Sequence, residues 1–164
     1  MIFDLKRLLG ATVAIPCALF AAQAAEPWQV VSVSEMSIAG TLKDGTEFEV
    51  RIEAKKPKEP RDNYFGAAGQ PELVVSEIVV KVGGKKTSFP KQAFEDLANP
   101  LLQTVSVTSQ PSGEVKLRFT GGDRAPTYEV EYFVQSDRLL RREVTFVETL
   151  PDGAKREVVK TTTF

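Results

Sequence analysis

Residues 47–53 read Glu-Phe-Glu-Val-Arg-Ile-Glu and alternate charged with apolar side chains without a break. Successive side chains of a β-strand point to opposite faces, so the apolar residues here share one face, namely Phe48, Val50 and Ile52. The same period of two recurs at 114–119 and at 128–134. Such alternation is typical of antiparallel strands that have one buried and one solvated face.

Further strand candidates lie at 29–34, 73–82, 104–108, 139–148 and 156–163. All of them are short and are separated by turn residues, which favours an all-β fold. The sequence therefore predicts one antiparallel β domain over 26–164, a sandwich or half-open barrel of about nine or ten strands. The strands after Gln103 are expected to form a meander.

Two turns allow the strand register to be predicted. A three-residue loop with Gly45 in the left-handed conformation pairs Phe48 with Gly40, which lets the Phe48 ring cover the missing side chain and become buried. The same geometry around 150–154 pairs Phe146 with Val158. Gly83-Gly84 suits a two-residue turn, whereas the turn at 135–138 lacks Gly, so its register stays open.

One short helix is predicted over 90–98. Ser88 suits an N-cap and Pro90 the first turn, and Phe94 and Leu97 fall on one face three residues apart. Asn99 and the proline after it end the pattern. A helix of this length would plug one end of the sheet or cover one side of it.

Residues 1–25 have the pattern of a secretory signal peptide. Lys6 and Arg7 precede an apolar stretch at 8–22, and Ala22-Gln23-Ala24 matches the small-x-small cleavage pattern. Cys17 follows Pro16 and precedes an apolar run, so it does not resemble a lipid attachment site. We therefore expect a periplasmic or secreted protein whose mature domain has no cysteine.

Composition excludes several chemistries. The 164 residues carry 21 basic and 22 acidic side chains, for a net charge of −1, and include no His. Near-neutral charge argues against nucleic-acid binding. Without His, neither a His-dependent catalytic triad nor a His-ligated metal site can form. No catalytic set, cofactor site or metal site is predicted.

Glu129 and Glu131 share one face of a strand and offer the paired carboxylates that glycan-cleaving enzymes use. If the loop at 121–126 closes symmetrically, Arg118 faces Glu129 and Lys116 faces Glu131. Such cross-strand ion pairs are common on solvated faces and need no function. A carboxylate-based enzyme acting on glycans is therefore the alternative hypothesis.

Two shorter motifs have structural explanations. Ser88 and Lys91 have S-x-x-K spacing, but the companion elements of the serine enzymes that use it are missing. Gly121-Gly122-Asp123-Arg124 could hold calcium or an anion, yet it is ordinary turn material without calcium-loop spacing.

The longest irregular connection, 54–72, contains three prolines and two glycines. Loops of this length inside a compact domain are commonly functional. This one combines basic with aromatic residues, and the predicted contact residues are Lys55, Lys56, Lys58, Arg61, Tyr64 and Phe65. Since Tyr64 and Phe65 are adjacent, we expect one to anchor the loop and the other to face outward.

The function that these features favour is a non-enzymatic binding module with a protein, glycan or lipid partner in the cell envelope. A small outer-membrane β-barrel is a further alternative, because charged residues alternate with apolar ones along the strands. Its weakness is that the apolar faces contain only three or four residues, whereas membrane-spanning strands need about 9–11.

The pattern at 1–25 leads to a first prediction. Export in a bacterial host should remove the first 24 or 25 residues, because signal peptidase cleaves after the small-x-small pattern. Intact mass spectrometry of periplasmic protein measures this directly. Recovery of full-length chain from the periplasm would contradict it.

Overall fold

The computed structural model describes residues 33–59, 61, 63–123 and 127–164. The predicted signal peptide at 1–25 and residues 29–32 of the first strand candidate lie outside these ranges. Within them the chain forms nine β-strands: β1 (Glu35–Thr41), β2 (Glu47–Lys55), β3 (Val74–Val82), β4 (Lys85–Ser88), β5 (Pro100–Ser109), β6 (Val115–Gly121), β7 (Tyr128–Gln135), β8 (Arg138–Thr149) and β9 (Lys155–Thr163).

The strands form two antiparallel sheets in which neighbours along the chain pair with one another. One sheet has the order β1-β2-β3-β4 and the other the order β5-β6-β7-β8-β9. The mainly β class, the strand number and the meander are thus confirmed, and of the two predicted architectures the structure is the sandwich. No helix in the described ranges is long and apolar enough to cross a membrane.

The core lies between the inner faces of the two sheets. Ile52 and Ile78 from the first sheet belong to the same buried cluster as Phe119, Val130 and Tyr132 from the second. All five side chains are at most 1% exposed. Burial of alternate residues from both sheets explains the period of two seen in the sequence.

Hairpin registers set by local turns agree with the sequence-based prediction. Phe48 pairs with Gly40 and Phe146 with Val158. Gly45 has a φ of 87°, the left-handed conformation that the three-residue loop requires. The Phe48 ring covers Gly40, 3.0 Å from where a Cβ would lie, but it is half-buried and not fully buried as expected.

The register of β6 with β7 differs from the prediction. Gly121 pairs with Tyr128, so the loop holds six residues (122–127) and Arg118 lies opposite Glu131. The predicted ion pairs nevertheless form diagonally, from Arg118 to Glu129 and from Lys116 to Glu131. A shift of two residues keeps each side chain on its face, which is why alternation alone did not determine this register.

The predicted helix at 90–98 is wrong, because only Lys91–Ala93 form a single 3-10 turn. Pro90, and not Ser88, precedes the turn, and it makes no side-chain cap. The backbone groups that a helix would use are taken by the long connection. The Phe65 N–H donates to the Asp96 carbonyl (2.8 Å), and the Ala98 N–H donates to the Phe65 carbonyl (2.9 Å).

A buried arginine attaches this irregular segment to the second sheet. The side chain of Arg142, on the inner face of β8, is 3% exposed and binds both carboxylate oxygens of Asp96 at 2.6 and 2.9 Å. Arg142 also donates to the Ala93 carbonyl, which accepts a second hydrogen bond from Tyr132. Burial lowers the pKa of Arg142, but the hydrogen bonds and charge of Asp96 outweigh this and raise it above its usual value.

The inward direction of Arg142 depends on the turn before β8. Gln135 pairs with Arg138 around Ser136, which has a φ of 58°. The β7–β8 register then shifts by one residue between Val134–Leu139 and Phe133–Arg141. In a regular strand, residues 139 and 142 would point to opposite faces. The bulge adds one residue between them, so Leu139 and Arg142 lie on the same face.

Replacing Arg142 by Met should strongly destabilise the fold, because Asp96 and the Ala93 carbonyl would lose a donor inside the protein. Removing one partner of a buried ion pair costs about 3–5 kcal/mol. Since the Asp96 side chain is 29% exposed, we expect about 3 kcal/mol in the free energy of unfolding, measured with urea.

Arg118→Met is the matched control, because Arg118 lies on the outer face of the same sheet and pairs with the partly exposed Glu129. Its loss should stay below about 1 kcal/mol. Equal effects from the two substitutions would contradict the special role of Arg142.

Candidate functional site

The connection between β2 and β3 runs along the segment at 96–99 and is hydrogen-bonded to it near its middle and at its C-terminal end. Near its middle, Phe65 exchanges backbone hydrogen bonds with Asp96 and Ala98. At its end, the Asn99 side-chain oxygen accepts from the N–H groups of Glu72 and Leu73, each at 3.0 Å. The stretch of the loop from Phe65 to Leu73 is therefore bonded to the rest of the fold and is not a solvated tether.

The β6–β7 loop holds the connection from its other side. The Asp123 N–H donates to the Gly66 carbonyl (3.0 Å), and the Gly122 N–H donates to the Asn99 carbonyl (3.0 Å). The Asp123 carboxylate accepts a hydrogen bond from the Asn99 amide. The Gly-Gly-Asp turn thus uses these amides to bind the neighbouring loop, which explains this part of the motif without an anion.

Tyr128 fits between two glycines. A Cβ on Gly66 would lie 2.5 Å from the Tyr128 ring, and a Cβ on Gly121 would lie 2.2 Å from its hydroxyl oxygen. Burial raises the pKa of Tyr128, and its hydroxyl has no hydrogen-bond partner among the described residues. Only glycine at both positions leaves room for this ring.

A groove of about 780 Å³ lies between this loop and the strands β8 and β9. We call it the loop groove, and its lining combines apolar, aromatic and charged side chains. The lining includes Tyr64, Phe65, Ala67, Asp96, Asp123, Thr127, Phe146, Val147 and Lys160.

The aromatic wall of the loop groove comes from distant parts of the chain. The Phe65 ring packs 5.1 Å from Phe146 and 6.5 Å from Tyr128, measured between centroids. Phe65 therefore anchors the loop to the core, as one of the two adjacent aromatics was expected to do. Tyr64 is half-buried and lines the loop groove.

Lys160 supplies a positive charge to the loop groove. Its ammonium nitrogen lies 5.6 Å from the centre of the Phe65 ring, within the range of a cation–π contact. In the part of the chain that the structure describes, Lys160 forms no ion pair. The Asp96 carboxylate, by contrast, is already bound by Arg142.

The predicted contact residues separate into groups. Tyr64 and Phe65 line the loop groove, but Lys55 pairs with Glu53 at 2.8 Å and Arg61 with Glu95 at 3.1 Å. A separate depression beside Ser34 contains Lys56. Lys58 is exposed, and within the described ranges it forms no ion pair.

Sequence reasoning missed Asp96, Phe146 and Lys160 as lining residues of the loop groove. Phe146 and Lys160 alternate with the residues of the outer face, so both belong to the inner faces of their strands. A Lys at such an inward-facing position was the one sequence signal that could have identified the loop groove. No sequence signal identified Asp96 as a lining residue, because it lay inside the predicted helix.

Glu129 and Glu131, the carboxylates of the alternative enzyme hypothesis, lie on the outer face of the second sheet. Glu131 accepts from Lys116 at 2.7 Å, and Glu129 accepts from Arg118. Arg141 extends this outer face by pairing with Glu114 and Glu143 and by stacking 3.6 Å from the Phe133 ring centre. Each Glu is therefore engaged by a cation in a ladder of ion pairs.

Comparison of the chain with protein-family models, with curated proteins and with solved structures found no match.

Gly66→Ala should destabilise the fold, because Gly66 has a φ of 89° and its new methyl group would overlap the Tyr128 ring. Left-handed backbone and overpacking together should cost about 2–4 kcal/mol in the free energy of unfolding. Gly69→Ala is the matched control in the same loop. No atom lies within 4 Å of its added Cβ, so we expect a change within about 0.5 kcal/mol. Similar melting curves for both variants would show that the loop is not packed as described.

Proposed function

We propose that this chain is a secreted, periplasmic binding module without catalytic activity, and that its ligand enters the loop groove. The observation that carries this proposal is the combination of an aromatic wall with one ammonium group that has no ion-pair partner among the described residues. Pockets that bind small molecules or chain segments are commonly mainly apolar, with a few polar groups that orient the ligand.

The wall of the loop groove suits an apolar group of the ligand. Phe65 and Phe146 pack against each other at 5.1 Å, measured between ring centroids, and both line the loop groove. Covering such side chains removes apolar surface from water, which favours binding by about 25 cal/mol per Å². An acyl chain, the apolar face of a sugar or an aliphatic side chain could each supply that cover.

Lys160 suits a negative charge on the same ligand. The ammonium group is held above the Phe65 ring and has no carboxylate partner in the described ranges. A phosphate or carboxylate on the ligand would form a charge-assisted hydrogen bond with it. We therefore favour an anionic amphiphilic ligand from the cell envelope: a phospholipid, an acidic glycan or an acidic peptide.

The loop that forms the groove is held in place before any ligand binds. Its backbone is bonded to Asp96, Ala98 and Asp123, and Gly66 is locked against Tyr128. A preorganised site loses less conformational entropy on binding. This supports a role in recognition for a connection that is longer than the fold requires.

Two further observations support a non-enzymatic, exported module. The candidate carboxylates Glu129 and Glu131 are engaged by Lys116 and Arg118 on the outer face, away from the loop groove. The N-terminal 25 residues have the composition of a secretory signal.

NMR titration of the ¹⁵N-labelled exported chain tests the proposal. The probes are anionic phospholipid vesicles, soluble peptidoglycan fragments and an unstructured acidic peptide. We expect that the addition of at least one of these probes shifts the amide signals of Tyr64, Gly66, Thr127 and Lys160. Lys160→Glu should then weaken the binding of that ligand about fivefold, since an exposed ion pair contributes about 1 kcal/mol.

The double variant Lys56→Glu, Lys58→Glu is the matched control, because it reverses charges in the same loop but outside the groove lining. It should leave the affinity for the groove ligand unchanged. If the control weakens binding and Lys160→Glu does not, the contact surface is the basic start of the loop. If none of the probes shifts the groove signals, the proposed ligand class is wrong.

A further inference from the structure

Strand β9 leaves one edge of the second sheet open. It pairs with β8 on one side, and within the described ranges no strand pairs with its other side. β9 has nine residues in regular register, whereas the edge strands β1 and β4 have seven and four, and the register of β5 is interrupted. β9 is thus the longest regular open edge in the described fold.

The hydrogen bonds at the two ends of the β8–β9 ladder show which residues face the open edge. Leu150 N–H donates to the Ala154 carbonyl at 2.8 Å, and Phe164 N–H donates to the Leu140 carbonyl at 3.0 Å. Paired residues of an antiparallel ladder alternate between hydrogen-bonded and non-hydrogen-bonded pairs. The even-numbered residues of β9 therefore bond to β8, and the odd-numbered residues direct their N–H and C=O groups outward.

Exposed apolar side chains lie at this edge. Val159 and Val147 are the large hydrophobic residues that stand out as exposed in the described part of the chain, at 54% and 57%. Val159 pairs with Thr145, and Val147 pairs with the neighbouring Glu157. Both valines therefore share the outer face of the sheet beside the open edge.

The charges of β9 exclude several of the registers in which a second copy could pair with it. In an antiparallel pairing of two β9 strands about a two-fold axis, the outward-directed, odd-numbered residues of one copy must lie opposite those of the other. The two-fold axis therefore passes through one residue of β9. An axis at Val158 places Arg156 against Lys160, and an axis at Lys160 or Glu157 places that residue against its own copy. Each of these registers brings like charges into direct opposition, which destabilises a sheet.

One register avoids this and also pairs all nine residues. An axis at Val159 places Val159 against Val159, Glu157 against Thr161 and Lys160 against Val158. In this register the outward N–H and C=O groups of the odd-numbered residues meet those of the partner. If the axis instead lies at Thr161, only five residues of each β9 strand pair.

We propose that β9 is a dimerisation edge, at which two copies of this chain pair antiparallel about Val159 and join their second sheets into one continuous sheet. This inference does not rest on the proposed ligand in the loop groove. Because one strand pair forms only a small contact, we expect a weak and reversible dimer.

Sedimentation velocity on the exported chain across micromolar concentrations measures the dimer. Val159→Lys and Val159→Glu should each raise the dissociation constant at least about tenfold, because like charges would meet on the axis. An equimolar mixture of the two variants should restore the dimer by pairing Lys with Glu. The matched control Val147→Lys, an equally exposed valine on β8, should have a much smaller effect.

Disulfide cross-linking tests the register, in a background in which Cys17, the one cysteine of the chain, is replaced by Ala. Opposite residues of a hydrogen-bonded pair have Cα atoms about 5.5 Å apart, which a disulfide can span. Val159→Cys should form covalent dimers, whereas Glu157→Cys should not, because its two copies would lie about 13 Å apart.

A monomer at all concentrations would overturn the proposal. A dimer that Val159→Lys leaves intact would assign the interface to another surface. Failure of the mixture to restore association, with circular dichroism showing both variants folded, would exclude pairing about Val159.

Discussion

The ion pair between Arg142 and Asp96 connects the regular part of this fold to its irregular part. Arg142 lies on the inner face of the second sheet, and Asp96 belongs to the segment that crosses between the sheets. The same guanidinium and the Tyr132 hydroxyl bind the Ala93 carbonyl. Because this segment in turn bonds the backbone of Phe65, the position of the long loop depends on a buried charge two contacts away.

A buried ion pair is a costly way to hold a segment, since both charges lose hydration. Apolar packing alone would avoid this desolvation cost, but it would not specify which backbone carbonyl contacts the sheet. Arg142 fixes direction as well as distance through its planar set of donors. The Tyr128 ring between Gly66 and Gly121 adds a steric constraint at the other end of the loop. Together these contacts explain how a connection rich in Pro and Gly keeps a defined shape.

The two faces of the second sheet differ accordingly. The outer face is a ladder of ion pairs, such as Lys116–Glu131 and Arg141–Glu114, which remain partly exposed to water. The inner face is covered by the first sheet and by the long loop, so the loop groove forms where that cover is incomplete. At the β9 edge the ladder of charges gives way to Val159, where the sheet is open to a further strand.

The sequence by itself determined the strands, because alternation with a period of two reflects burial of one face. It also determined the hairpin registers at Gly45 and at 150–154, because tight turns with a left-handed glycine allow one pairing. Tyr64 and Phe65 were predicted as contact residues from the length and composition of their loop. All of these features can be inferred from patterns within short stretches of the chain.

The rest depended on residues far apart in the chain. The helix predicted at 90–98 does not form, because the long loop binds the backbone of Asp96 and Ala98. The β6–β7 register is set by a six-residue loop whose own bonds go to Gly66 and Asn99. Asp96, Phe146 and Lys160 reach one groove only after both sheets have packed. Local patterns contain no information on such contacts, so tertiary packing decided the loop groove.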